Sequence, residues 1–136
     1  MRRLSLSLIA GLIVIAPILS ATPASAASLS MGCNIQPSSN DNFTTACTTI
    51  YAVSSYTVGY YVQGGTGTYT YSWTPPVDRT ILAGCTSTSA SCVISTGAQR
   101  DQILTASVVV TQGSSQTDFS ATAFIPGNGG CGSKQC

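Results

Sequence analysis

The run Leu104-Thr105-Ala106-Ser107-Val108-Val109-Val110-Thr111, the segment Gln112-Gly113-Ser114-Ser115-Gln116 and the return Thr117-Asp118-Phe119-Ser120-Ala121-Thr122-Ala123-Phe124-Ile125 together decide the fold of this chain. In an extended backbone successive side chains point to opposite faces, so Leu104, Ala106, Val108 and Val110 share one face and Thr105, Ser107, Val109 and Thr111 the other. The Gly-Ser segment turns the chain, and Phe119, Ala121, Ala123 and Ile125 alternate on the way back. A β-hairpin is the expectation.

The same period recurs upstream. In Thr57-Val58-Gly59-Tyr60-Tyr61-Val62-Gln63 the residues Val58, Tyr60 and Val62 share a face. After Gly64-Gly65-Thr66-Gly67, which supplies a turn, Tyr69, Tyr71 and Trp73 alternate with Thr68, Thr70, Ser72 and Thr74. Pro75-Pro76 ends that strand, because proline cannot donate to a ladder. Further strands are expected at Thr48 to Val53, Thr80 to Ala83 and Ser91 to Ser95. Beyond residue 26, Ser, Thr, Gly, Ala, Val and Tyr dominate, with no glutamate and a single lysine, a composition that suits a pleated surface rather than a helix. About seven strands predict an all-β domain of two packed antiparallel sheets.

The N-terminus is of another kind. Arg2 and Arg3 precede the apolar run Leu4 to Leu19, and Ala24-Ser25-Ala26 forms a small-residue cleavage site, which reads as a signal peptide spanning residues 1–26. A membrane anchor is the competing reading, yet the uninterrupted core from Leu8 to Ile18 holds Gly11 and Pro17 and falls short of the ~20 residues a spanning helix needs. Leu4-Ser5-Leu6 fits a twin-arginine motif poorly. Met31-Gly32-Cys33 resembles a lipidation site, but Ser30 stands where a large aliphatic residue is expected. Export to the periplasm or the cell exterior follows. Taking residues 1–26 from the 136 leaves 110, enough for one domain over 27–130 with its core at 48–126, followed by a terminal loop at 131–136.

Processing also moves the charge. Arg79, Arg100 and Lys134 remain against Asp41, Asp78, Asp101 and Asp118, a formal charge of −1. Nucleic-acid binding and a polybasic membrane patch both need clustered cations, so neither is expected. All 6 cysteines, Cys33, Cys47, Cys85, Cys92, Cys131 and Cys136, lie beyond the signal. With no histidine and no Cys-x-x-Cys spacing, zinc is disfavoured and disulfides are expected. The local pairing Cys33 to Cys47, Cys85 to Cys92 and Cys131 to Cys136 is one of the many that the count allows. The spacing of Cys85 and Cys92 fits a cross-linked hairpin.

Gly64-Gly65-Thr66-Gly67-Thr68-Tyr69-Thr70-Tyr71-Ser72-Trp73 resembles the glycine turn and Tyr-x-Tyr-x-Trp strand of bacterial PKD-type and Ig-like extracellular domains. Leu104 to Ile125 is similar to their closing hairpin, so the resemblance spans roughly residues 57–125. The Trp-Asp-Phe-Gly-Asp-Gly hallmark of PKD domains is absent, as is a cysteine in the strand before Trp73. The resemblance implies an Ig-like sandwich with Trp73 in its core and an outer-surface setting. It brings no functional residue, since such domains serve as spacers, adhesive modules and sugar-binding appendages alike.

Acid and base chemistry draws mostly on His, Glu, Asp or Lys. Here no His or Glu occurs, Lys134 sits in the tail, and a carboxylate pair such as Asp78 and Asp101 has nothing in the sequence to bring it together, so no catalysis is expected. Asn40-Asp41-Asn42 offers one carboxylate, too few for a dedicated calcium site, and reads as a turn; no metal and no cofactor are expected. Asn42-Phe43-Thr44 matches a glycosylation acceptor. Aromatic residues crowd the first half of the domain: Tyr51, Tyr56, Tyr60, Tyr61, Tyr69, Tyr71 and Trp73. Tyr56 and Tyr61 stand apart from the set Val58, Tyr60 and Val62, and are the candidates for facing a ligand. The expectation is a secreted, non-catalytic module that binds a protein or glycan outside the cell. The alternative is a small disulfide-rich inhibitor or toxin-like effector presenting a rigid loop such as Cys85 to Cys92.

Overall fold

The computed structural model describes residues 28–37 and 43–127, so the expected signal at 1–26, Asn40-Asp41-Asn42 and the expected terminal loop at 131–136 lie outside the described residues. Eight strands and no helix occur among the described residues: β1 (Ser30–Gln36), β2 (Ala46–Thr48), β3 (Ser55–Gln63), β4 (Thr70–Thr74), β5 (Thr80–Gly84), β6 (Ser91–Gly97), β7 (Gln102–Gln112) and β8 (Ser115–Ile125). They form two four-stranded sheets in the orders β1-β3-β6-β5 and β2-β8-β7-β4, a β-sandwich.

Alternation sets the inward row of β3, β6, β7 and β8, while β5 is exposed along most of its length. Val58 and Tyr60 on β3, Ile94 on β6, and Ala106 and Val108 on β7 turn inward and are fully buried between the sheets, with Ala121, Ala123 and Ile125 of β8 facing them. Each buried aliphatic side chain of this size contributes about 1.5–3 kcal/mol relative to its exposed state. The β7–β8 hairpin is regular from Gln102↔Ile125 to Gln112↔Ser115.

Four expectations are corrected. First, the core begins well before residue 48: β1 is a full strand in which Met31, Cys33 and Ile35 alternate inward against β3 and are buried. Second, the strand expected at Thr48 to Val53 is instead the three-residue β2, ending at Thr48, after which Thr49 to Val53 form no strand. Third, the pairing is not wholly antiparallel, because β2 runs parallel to β8. Fourth, Tyr56 is not ligand-facing but core, at 2% exposure. The reason is that β3 begins at Ser55, earlier than expected, which places Tyr56 in phase with Val58 and Tyr60. Its hydroxyl donates to the Tyr51 carbonyl and accepts the Val53 N–H at 3.3 Å. The glycine cluster after β3 carries the chain from one sheet to the other rather than pairing β3 with β4.

Specific links fasten the two sheets. The buried Tyr60 hydroxyl on β3 donates to the Leu104 carbonyl on β7 at 2.8 Å. At one end of the sandwich, Gln102 Oε1 on β7 accepts from Thr96 Oγ1 at 2.8 Å and from Arg79 Nη2 at 2.9 Å. Two disulfides take the expected pairing. Cys33–Cys47 joins β1 to β2 and therefore one sheet to the other. Cys85–Cys92 closes the β5–β6 hairpin within one sheet. Both speak for an oxidising compartment. Among the described residues no helix is long and apolar enough to cross a membrane.

Trp73 is half-buried against the core rather than fully inside it, because β4 is the edge of its sheet. Its indole N–H donates to Ser89 O at 2.8 Å, and Tyr71 N–H donates to Ser87 O at 3.0 Å. The segment between Cys85 and Cys92 is thereby fastened along the open edge of β4.

Candidate functional site

The outer face of β1 and β3 departs from the rest of the surface in one respect, the spacing of its glycines. Outward positions on β1 include Gly32 and Asn34; on β3 they include Gly59, Tyr61 and Gln63. The antiparallel register sets Gly32 beside Tyr61, Asn34 beside Gly59 and Ser30 beside Gln63. A glycine leaves a shallow floor where a neighbouring strand residue would raise a side chain, and a glycine inside a strand often marks close approach by something else.

Here two aromatic rings occupy those floors. A methyl group at Gly32 would lie 2.7–2.8 Å from three carbons of the Phe43 ring, and one at Gly59 would lie 2.6 Å from two ring carbons of Tyr61. Both glycines are buried although they face outward, since the rings cover them. Phe43 keeps 37% of its surface exposed and Tyr61 is half-exposed, so one side of each ring rests on the sheet while solvent reaches the remainder.

Phe43 comes from the connection between β1 and β2, and two constraints bring it back over β1. The Cys33 N–H donates to the Thr44 carbonyl at 2.8 Å, and the Cys33–Cys47 bond closes the loop that carries the ring. Thr44 Oγ1 donates to the Ala46 carbonyl at 2.6 Å, tightening the approach to β2. Tyr61 needs no such clamp, because its own strand fixes it.

Between the rings runs a cleft of about 210 Å³ lined by Cys33, Asn34, Phe43, Tyr61 and Gln63. The side-chain amides of Asn34 and Gln63 make no hydrogen bond to another described residue, and each presents both donors and an acceptor. None of the described charged residues, Asp78, Arg79, Arg100, Asp101 and Asp118, lines it. Among the described residues the cleft is lined by no charge, and it brings two aromatic side chains together with two amides.

The structure thus separates the two tyrosine candidates. Tyr61 lies in the cleft and Tyr56 lies in the core. Among the other aromatics, Tyr60 is fully buried, and burial pushes its phenol well above the usual tyrosine range. Tyr69, Tyr71 and Trp73 are half-buried against the core, and Tyr51 is exposed away from the cleft. Asp78 sits in the turn before β5, while Asp101 Oδ1 accepts the Gly127 N–H at 2.7 Å. Of the glycosylation acceptor, Asn42 lies outside the described residues. Sequence reasoning missed Phe43, Asn34 and Gln63. The signal that points to them is Gly59, a lone glycine inside an otherwise strand-forming run, with Gly32 as its counterpart across the ladder.

No family model, no curated protein and no solved structure matches this chain. The class it belongs to is therefore argued from its own strand order and its own site.

Proposed function

We propose that this chain is an exported, non-catalytic binding module with an Ig-like β-sandwich, and that its ligand docks on the outer face of β1 and β3. What supports the Ig-like assignment is the strand order. Naming β1 as A and β3 to β8 as B to G gives one sheet A-B-E-D and the other C-F-G, the order of constant-type immunoglobulin domains. The short β2, parallel to the final strand, is then a continuation of the first strand that has crossed to the opposite sheet. Trp73 falls on strand C, where that fold places its tryptophan.

The binding reading rests on one observation: two outward-facing glycines are buried under the aromatic side chains of Phe43 and Tyr61, each of which rests against the sheet in place of a side chain while remaining partly exposed to solvent. An aromatic side chain immobilised before a ligand arrives loses little rotamer entropy on binding, and flat aromatic faces are effective anchors. Export supports a partner outside the cell. The alternative of an inhibitor draws less support, since the segment from Cys85 to Cys92 is hydrogen-bonded along β4 and is not presented free to an enzyme.

The test is co-sedimentation of the exported protein with insoluble cell-envelope and extracellular polysaccharide material. Phe43→Ala and Tyr61→Ala are expected to lose retention while Ser107→Ala, on the other sheet, keeps it. Equal retention of all three would remove this face as the docking surface.

A further inference from the structure

The geometry points to a neutral, β-linked glycan as the ligand of the Phe43–Tyr61 cleft, an inference that rests on the binding reading above and gives it a chemical class. A pyranose ring with equatorial substituents has two faces of C–H bonds and a rim of hydroxyls. The faces need flat apolar partners, and each hydroxyl both donates and accepts. The cleft offers both complements: the rings of Phe43 and Tyr61, and the side-chain amides of Asn34 and Gln63, which bond to no other described residue. Among the described residues no charged side chain lines it, so none of them would neutralise a uronate, a sulfate or a phosphate.

The register speaks to chain shape. Phe43 lies over Gly32 and Tyr61 over Gly59, and these glycines are diagonal neighbours, Gly32 pairing with Tyr61 and Gly59 with Asn34. Diagonal positions on adjacent strands are roughly 7–8 Å apart. The rings therefore address more than one sugar, and both lie against the same sheet face. A β-linked chain with equatorial linkages is an extended ribbon whose successive rings present flat faces to such a floor; an α-linked chain coils away from it.

A proline-rich peptide is the other extended ligand that stacks on aromatics. It fits less well. A polyproline segment offers carbonyl acceptors and no backbone N–H, which leaves the acceptor oxygens of Asn34 and Gln63 unanswered, whereas sugar hydroxyls satisfy donors and acceptors alike.

The experiment is titration of the isotopically labelled exported protein with cellohexaose, chitohexaose, maltohexaose and a decaproline peptide, followed by amide shifts. A β-linked hexasaccharide is expected to move resonances of β1 and β3 around Gly32, Asn34, Gly59 and Tyr61, with maltohexaose at least about tenfold weaker. Phe43→Ala and Tyr61→Ala are each expected to weaken binding by at least about tenfold, the loss of one stacking face. Asn34→Ala is expected to cost less and to change which sugar is preferred. Variants that still show the wild-type pattern of Ile94 and Val108 resonances are folded, which separates a lost site from a lost fold. Binding by decaproline alone, or by no probe while envelope retention still requires both rings, would overturn the glycan assignment and leave the docking face standing. Retention indifferent to both rings would remove the face and the glycan together.

Discussion

The outer faces of the two sheets are built from the same alternation and yet differ in what they offer. On β7 and β8 every outward position carries a side chain: Thr105 and Thr122 meet at 2.9 Å between hydroxyl oxygens, Ser107 pairs with Ser120, and at one end Ile103 pairs with Phe124, both exposed. No glycine interrupts either strand, so no outward position leaves a floor for a ring from elsewhere in the chain. On β1 and β3 two positions carry none, and the space above Gly32 and Gly59 is filled by rings from elsewhere in sequence or from two residues along. Removing side chains from an outer face, rather than adding them, is what turns a solvated surface into a shaped one. The inward residues are equally buried behind both faces, which isolates this difference from the core.

Breaking the comparison most forcefully means removing the clamp. Cys33→Ala with Cys47→Ala opens a loop of 14-residue sequence separation that also ties the sheets together. The expected loss is about 3 kcal/mol in urea denaturation, from the entropy returned to the unfolded chain. Ligand affinity at the cleft is expected to fall with it, since Phe43 is no longer held over Gly32. The companion change, Cys85→Ala with Cys92→Ala, opens a shorter loop neither of whose cysteines lines the cleft and costs roughly 2–3 kcal/mol. Affinity is expected to survive that change under conditions where both proteins are folded. Equal effects on affinity would show that the disulfide steadies the fold without positioning the ring.

A core variant sharpens the comparison by acting behind both faces at once. Tyr60→Phe removes the hydroxyl that bridges β3 to the Leu104 carbonyl, leaving that carbonyl buried, and is expected to cost about 1–2 kcal/mol with affinity unchanged. It should also change the alkaline limb of stability. Burial raises the Tyr60 phenol above its ordinary value of 10.0, so the folded state resists ionisation that the unfolded state accepts. The contribution is whole below pH 10 and is lost as pH rises beyond it, because the unfolded chain then releases a proton the folded chain keeps. Tyr60→Phe is expected to flatten that decline in pH-dependent unfolding; an unchanged slope above pH 10 would assign it to other groups.

How much of this was legible in the sequence depends on which interaction fixes each feature. The inward set on β7 and β8 was readable because a period of two is a local property of the backbone. Which sheet a strand joins is not local, and nothing in Tyr71-Ser72-Trp73 says that β4 pairs with β7 instead of turning back on β3. The strand β1 was hidden by Asn34 and Gln36, outward residues that lend the stretch the look of a loop, while the inward alternation of Met31, Cys33 and Ile35 was there to be read. Tyr56 was misplaced because it was set apart from Val58 and Tyr60, although it stands two residues before Val58 and shares their face once the strand reaches back to Ser55. The pairing of the four described cysteines followed from proximity in sequence. Phe43 was beyond reach, since its position depends on a loop folding back over β1 under the Cys33–Cys47 bond and the Cys33–Thr44 hydrogen bond, both non-local in origin.

The gentlest test touches only the floor of the site. Gly59→Ala adds a methyl group where the Tyr61 ring now rests, and Gly32→Ala adds one beneath Phe43. Neither glycine needs a backbone conformation closed to alanine, and alanine loses less chain entropy on folding, so stability is expected to change by no more than about 1 kcal/mol in either direction. The rings must lift or swing aside, however, because the added carbon would sit well inside ordinary contact distance. Affinity is therefore expected to drop while the melting transition barely moves, a separation that a merely structural glycine would not produce. On the other sheet, Ser107→Ala and Thr105→Ala alter equally exposed outward positions and are expected to change stability by less than about 0.5 kcal/mol and affinity not at all. If Gly59→Ala proves as silent toward ligand as Ser107→Ala, the two faces are equivalent in function and the resting of the rings against the sheet is incidental to binding.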